Sequence, residues 1–171
     1  MSLKENLNHN NSLFIVCPFC QLEYFLRSKF GDDIFFFTVA GGVMKFGSDE
    51  NPGLEELLNR EKISDIYLVN DISCNFIEDA IDGKEEFGLR CEKQLREVLK
   101  KHSHGFEDLT ISEKKEHLAK SNILNHLGFL ISRNLNKNEI SQKSINFHGM
   151  ITDKKRGHIN KLSGIEILKN F

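Results

Sequence analysis

Cysteine is scarce in this chain: four residues in 171, at positions 17, 20, 74 and 91. That is too few, and too unevenly spaced, for a small secreted scaffold stapled by disulfides. Proline is scarcer still, with two residues, and no linker, internal repeat or low-complexity segment breaks the chain. No apolar run approaches the roughly 18 residues of a membrane span. The opening MSLKENLNHNNS is polar and lacks the apolar stretch of a secretory signal. Charge of one sign is also missing. The formal net charge is −2, and basic residues are scattered among acidic ones, so neither nucleic acid nor an anionic membrane is indicated as a partner. These absences predict one domain over residues 1–171 with a flexible start at 1–12, in a reducing cytoplasm that keeps its thiols reduced.

What is present begins with FIVCPFC at residues 14–20, an apolar run that climbs into Cys17-Pro18-Phe19-Cys20. Strand, Cys-x-x-Cys and helix in that order can present a redox dithiol, or the first ligand of a metal site at a strand end. A thioredoxin-like dithiol site resembles this stretch, but that family sets a cis-proline opposite the motif. Pro18 lies inside the motif and Pro52 stands at a helix start, so neither can play that part. Cys-x-x-Cys by itself is a weak signal.

Around this motif the pattern alternates between strand and helix. Leu13–Val16 reads as a short buried strand, and Leu22, Phe25, Leu26 and Phe30 give residues 21–30 one apolar helical face. The continuous IFFFTV run at 34–39 suits a strand covered on both faces, with Phe35, Phe36 and Phe37 in the core, and Ala40-Gly41-Gly42 ends it. Asn51-Pro52 is a helix start, leading to a strand at 65–69 (DIYLV) and a turn holding Asp71 and Cys74. Phe76–Ile81 is one or two helical turns. Glu86–Lys101 is a stronger helix, with Cys91 on its apolar face. Thr110-x-x-Glu113 is a capping box before a long helix with Ile123, Leu124, Leu127, Leu130, Ile131 and Leu135 on one face. INFHGMITDKKRGHINKL reads as two strands with a turn ending at Gly157. The alternation implies an α/β fold with a mostly parallel central β-sheet flanked by helices and a C-terminal antiparallel hairpin.

In such a sheet, sites form at the carboxyl edge of the strands. Cys17 stands at the end of the first strand, and Asp71 and Cys74 leave the end of the third. If those strands are neighbours, a thiol and a thiol-carboxylate pair converge.

The spacing and the flanks together resemble the β-class carbonic anhydrases. That family holds zinc with a Cys opening C-x-D-x-R and, about 55 residues on, with H-x-x-C after another strand. Here Cys17 precedes Asp71 by 54 residues and Cys74 by 57. GDDIFFFTVAGGV (31–43) is similar to the family's P-G-D-L-F-V-V-R-N-A-G-N. SDIYLVNDISC (64–74) is similar to the strand running into G-H-S-D-C-G. SNILNHLGFLISRNL resembles the helix reading N-V-x-x-x-V-x-x-L, and NFHGMITDKKRGHINKL (146–162) resembles the closing V-H-G-W-V-Y-D-x-x-T-G-x-L hairpin. The resemblance runs in order from about residue 13 to 162. It implies a β-carbonic-anhydrase-like fold, a Zn²⁺ held by Cys17, Asp71 and Cys74 with Cys20 or a water as the fourth ligand, CO₂ or bicarbonate as the small-molecule partner, and a homodimer.

The departures fall on the chemistry. In the family the Asp of C-x-D-x-R accepts a hydrogen bond from zinc-bound hydroxide, and the Arg holds that Asp. Phe19 and Gln21 occupy those two positions here, and neither can do the work. Asp71 replaces the family's imidazole ligand, and Thr38-Val39 replaces its Arg-Asn pair. Two thiolates, one neutral imidazole and Zn²⁺ sum to zero charge; a carboxylate in place of the imidazole makes the sum −1, which leaves hydroxide less stabilised near pH 7. A fourth ligand from Cys20 would close the shell, as in structural zinc sites. The expectation is therefore weak or altered carbonate dehydratase activity. A non-catalytic relative with a binding or regulatory role, and a thiol redox protein using Cys17 and Cys20, are the alternatives.

Plainer readings stand beside these. Cys17 and Cys74 can be core thiols of a site that has lost its metal, and Cys91 reads as core. His102 and His104 follow a Lys-rich helix end, where cationic side chains suit the dipole. His148 reads as structural.

Overall fold

The computed structural model describes residues 11–42, 52–136 and 145–162. Val43, the Asn51 cap and the polar start through Asn10 lie outside them, as do the side chains of Ile131 and Leu135. Ser12, placed by the sequence in the flexible start, is instead the buried first residue of a strand.

Five strands form one sheet. β1 (Ser12–Val16) is buried along its whole length, and α1 (Glu23–Phe30) leads to β2 (Phe35–Thr38). α2 (Pro52–Arg60) leads to β3 (Asp65–Asp71), followed by α3 (Asn75–Asp82), α4 (Arg90–Lys101) and α5 (Ile111–Asn136). β4 (Asn146–Asp153) and β5 (His158–Lys161) close the chain. The strand order is β2-β1-β3-β4-β5. All neighbours are parallel except β4 and β5, which form the expected antiparallel hairpin. Gly157 ends its turn at φ +72°, in the left-handed region that glycine enters freely.

β1 and β3, each two-sided and apolar, lie inside the sheet, as continuous Leu-Phe-Ile-Val and Ile-Tyr-Leu-Val runs require. Phe14 stacks on Tyr67 at 4.7 Å between ring centres, and Tyr67 stacks on His148 at 4.5 Å. His148 Nε2 meets Asp65 Oδ1 at 2.8 Å, so this imidazole ties neighbouring strands together at the end of the sheet away from Cys17 and Cys74. β2 differs from the two-sided strand read from its sequence. It is the sheet edge, and Phe35, Phe36 and Phe37 are half-buried. An edge strand has one paired neighbour and can leave part of each ring in water.

α4 begins at Arg90, later than the periodicity suggests. The Glu92 carboxylate receives the N–H groups of Phe87 and Leu89, which holds the residues before the helix in a capped loop. The capping box at α5 forms as read: Thr110 N–H donates to Glu113 Oε2 (2.8 Å), and Glu113 N–H donates to Thr110 Oγ1 (3.3 Å). α5 lies on β4 so closely that a Cβ at Gly149 would stand 2.8 Å from Ile123 Cγ2 and 2.8 Å from Leu162 Cδ1.

The strand order fixes where a site can form. From β1 the chain goes first to β2 on one side and then to β3 on the other, so the connections after β1 and β3 diverge. In an open parallel sheet, that divergence opens a crevice at the carboxyl ends of the two strands. Cys17 follows β1 and Cys74 follows β3.

Candidate metal centre

Two tight turns present the thiols. After β1 the chain turns through a 3-10 turn at Pro18–Cys20, with Cys17 as its extended N-cap and Pro18 at the first turn position. Cys20 N–H donates back to the Cys17 carbonyl (3.0 Å), which closes the turn and brings the two cysteines together. After β3 the chain turns again, and Cys74 N–H donates to the Asp71 carbonyl (3.0 Å). Cys74 is the extended N-cap of α3, so its sulfur stands at a helix N-terminus, which favours negative charge.

The sulfurs of Cys17, Cys20 and Cys74 lie within 4.8 Å of one another, and all three residues are buried. No other such group of metal-binding side chains occurs among the described residues. Gly41 N–H points at Cys17 Sγ from 3.3 Å. It comes from the Ala40–Gly42 turn, which is pressed against the end of β3: a Cβ on Gly42, at φ +67°, would stand 2.9 Å from Asn70 Nδ2. Asn70 holds that turn by donating to the Gly41 carbonyl (3.2 Å), and Asn122 of α5 donates to Asn70 Oδ1 (2.8 Å).

Hydrogen bonds run among the three sulfur groups. Hydrogen bonds from the Cys20 and Cys74 thiols, with help from the Gly41 and Phe19 N–H groups, pull Cys17 down to about 3. Its thiolate in turn holds the other two protonated: Cys20 is driven far up, and Cys74 is pushed to about 12. The cluster therefore favours a thiolate at Cys17 and thiols at Cys20 and Cys74. A cation that can accept all three would displace the two remaining protons.

Asp71, expected beside Cys17 and Cys74, does not join the sulfurs. Its buried carboxylate accepts four hydrogen bonds. Oδ1 takes the N–H of Ser73 at 2.9 Å and also its hydroxyl. Oδ2 takes the hydroxyl of Thr152 at 2.7 Å and the N–H of Lys154 at 2.9 Å. Asp71 thus braces the turn that carries Cys74. The signal for this was present as Asp71-Ile72-Ser73, since an Asp two residues before a Ser commonly closes an Asx turn. Lys154, which the sequence reading did not single out, also donates its ammonium to the Cys20 carbonyl at 2.6 Å.

Phe19 is 61% exposed at the mouth of the site and packs edge-on against Phe76 of α3, with ring centres 5.4 Å apart. Gln21 leaves the Cys turn with φ +49°. Cys91 is buried on α4, near enough that negative charge on Cys17, added to burial, raises it to about 11. His104 lies on the surface, and His102 caps the end of α4, where burial and Lys101 lower its pKa.

The donor set fits a zinc ion. Three buried sulfurs lie within 4.8 Å of one another, and thiolate is a preferred zinc ligand. Fold and site together define an open α/β protein with a three-thiol cluster at its topological switch point.

That architecture is the fold of the β-carbonic anhydrases. The chain is similar to the wild-type β-carbonic anhydrase CafD of the filamentous fungus Aspergillus fumigatus, with a TM-score of 0.74, 20% identity, and 95% of each chain covered. It is similar to tetrameric β-carbonic anhydrases of the ascomycete Sordaria macrospora (TM-score 0.71, 19% identity, covering 90% of this chain and 80% of that one). It also resembles a Coccomyxa β-carbonic anhydrase solved with acetazolamide, at TM-score 0.68 and 16% identity over 89% of this chain and 71% of that one. No protein-family model matches the chain, and no curated protein does. No helix among the described residues is long and apolar enough to cross a membrane.

Proposed function

We propose that this chain is a divergent β-carbonic-anhydrase-like metal protein in which Cys17, Cys20 and Cys74 hold a zinc ion, with weak or altered carbonate dehydratase activity toward CO₂ and bicarbonate. The observation that carries the reading is the gathering of three buried sulfurs at the switch point of a β-carbonic anhydrase fold. When bound, zinc would supply a Lewis acid there. Asp71 keeps the Cys74 turn in place, and Gly41 N–H steadies the Cys17 sulfur.

The residues facing a substrate argue for little turnover. Phe19 stands where the family carries a hydrogen-bond acceptor, and its ring neither accepts nor donates in that sense. Gln21 carries no charge to orient one. Three thiolates would also give a bound zinc more negative charge than two thiolates and an imidazole, and so would weaken the Lewis acid it supplies. A homodimer in a reducing cytoplasm completes the reading, the first by resemblance and the second because the site needs reduced thiols. Stopped-flow CO₂ hydration on zinc-loaded protein tests it. The expected rate is little above buffer, and a rate typical of the β class would contradict the roles given to Phe19 and Gln21.

A second reading is favoured by the closeness of Cys17 and Cys20. The pair could exchange with a substrate disulfide, their two thiols becoming a disulfide as the substrate's becomes two thiols. A Cys17–Cys20 reduction potential well below the cytosolic poise, without exchange activity, would remove it.

A further inference from the structure

We propose that Lys154 is a positioning residue for the thiol cluster: it locks the Cys17–Cys20 turn to the Asp71–Cys74 turn and so sets the affinity for metal. This rests on the metal reading above. The two ligand turns come from different strand ends, some 50 residues apart in sequence; among the described residues the β1–β3 pairing stops at Ile15 and Leu68, and beyond it the Gly41 turn and the Phe19–Phe76 ring contact reach from one side to the other. Lys154, the first residue after β4, bridges them. Its backbone N–H donates to Asp71 Oδ2 at 2.9 Å, and its ammonium donates to the Cys20 carbonyl at 2.6 Å.

The chemistry at both ends explains why a lysine suits this place. The 3-10 turn ends at Cys20 because Gln21 swings to φ +49°, so the Cys20 carbonyl faces away from any continuing helix. A charge-assisted hydrogen bond from an ammonium satisfies that carbonyl more strongly than a neutral donor would. At the other end the donor is a main-chain N–H, which any residue supplies, so substitution of Lys154 cuts one end of the bridge and spares the other. Thr152 Oγ1 on the same Asp71 oxygen, and Ile72 N–H on the Thr152 carbonyl at 2.9 Å, keep β4 registered with the Cys74 turn in either case. The loosened element is the Cys17–Cys20 turn, which keeps the Gly41 N–H on Cys17 Sγ and the Phe19–Phe76 contact but loses its tie to the end of β4. Groups outside the ligand shell that orient ligands are commonly worth 10- to 100-fold in metal affinity.

The test is zinc affinity, measured by competition with a chromophoric chelator, for wild type, Lys154→Met and Lys154→Arg. Cobalt(II)-substituted protein adds the sulfur-to-metal absorption band as a spectroscopic signature. Lys154→Met should bind zinc roughly 10- to 100-fold more weakly and shift or weaken that band, while the metal-free protein unfolds at a somewhat lower temperature in a transition that is still cooperative. Lys154→Arg, which keeps a long cationic donor, should recover most of the affinity. Should Lys154→Met not fold, Lys154→Gln, too short to reach the carbonyl, makes the same comparison. Zinc affinity and cobalt band unchanged in the truncated variant would overturn the inference alone, as would Lys154→Arg behaving like Lys154→Met. Wild-type protein that takes up no zinc would overturn the metal reading and this inference with it.

Discussion

Asp71 and Cys74 share one turn, joined by a 3.0 Å hydrogen bond from the Cys74 N–H to the Asp71 carbonyl, yet their side chains have separate tasks. The thiol joins the sulfur cluster, while the carboxylate turns to Ser73, Thr152 and Lys154. The carboxylate is part of the frame that holds the Cys74 turn.

Asp71→Asn tests that frame. The amide keeps one oxygen and can donate to the Thr152 hydroxyl, but it then faces the Lys154 N–H donor to donor. One unsatisfied buried donor costs about 1–3 kcal/mol. Denaturant unfolding of metal-free protein should show a loss in that range, and an unchanged midpoint would remove Asp71 from its bracing role.

Gly149→Ala probes the packing of α5 on the sheet. The added methyl would press on Ile123, Leu127 and Leu162, all buried. Overpacking of this kind costs about 1–3 kcal/mol. Thermal melts should show a clear fall in Tm, and a neutral result would mean that α5 can shift away from β4 at little cost.

His126 sets an acid limit on stability. It is buried on α5, its Nε2 lies 2.7 Å from Gln94 Nε2, and burial, aided by the Arg90 charge, lowers its pKa to about 4. The unfolded chain binds this proton near the ordinary value of 6.5, so between 6.5 and 4 the unfolded state holds more protons than the native one. Stability should therefore be complete above about pH 6.5 and fall as the pH drops toward 4. His126→Gln, compared by urea unfolding at pH 7 and pH 5, should flatten that slope. An equal slope in both proteins would assign the acid sensitivity elsewhere.

Much of this was legible in the sequence. The two-sided apolar runs of β1 and β3, the Thr110-x-x-Glu113 cap and the closing hairpin are local patterns, and each formed where its residues placed it. The convergence of Cys17 and Cys74 followed from the strand-end rule once the strands were adjacent. What was not legible depended on partners distant in sequence. The partial exposure of Phe35–Phe37 depends on β2 standing at the edge of the sheet, with no outer neighbour among the described residues. The task of Asp71 depends on Thr152 and Lys154, some 80 residues away. Cys20, read as an optional ligand, stands with Cys17 and Cys74 in the cluster, brought back over Cys17 by a turn whose hydrogen bond no sequence pattern specifies.

Zinc content tests the central claim most directly. Protein purified under reducing conditions, desalted and assayed for zinc and for chain concentration, should carry about one ion per chain, lose it in Cys17→Ser, Cys20→Ser and Cys74→Ser, and keep it in Asp71→Asn. Wild-type protein without zinc, or full zinc in Cys20→Ser with loss in Asp71→Asn, would contradict the three-thiol site.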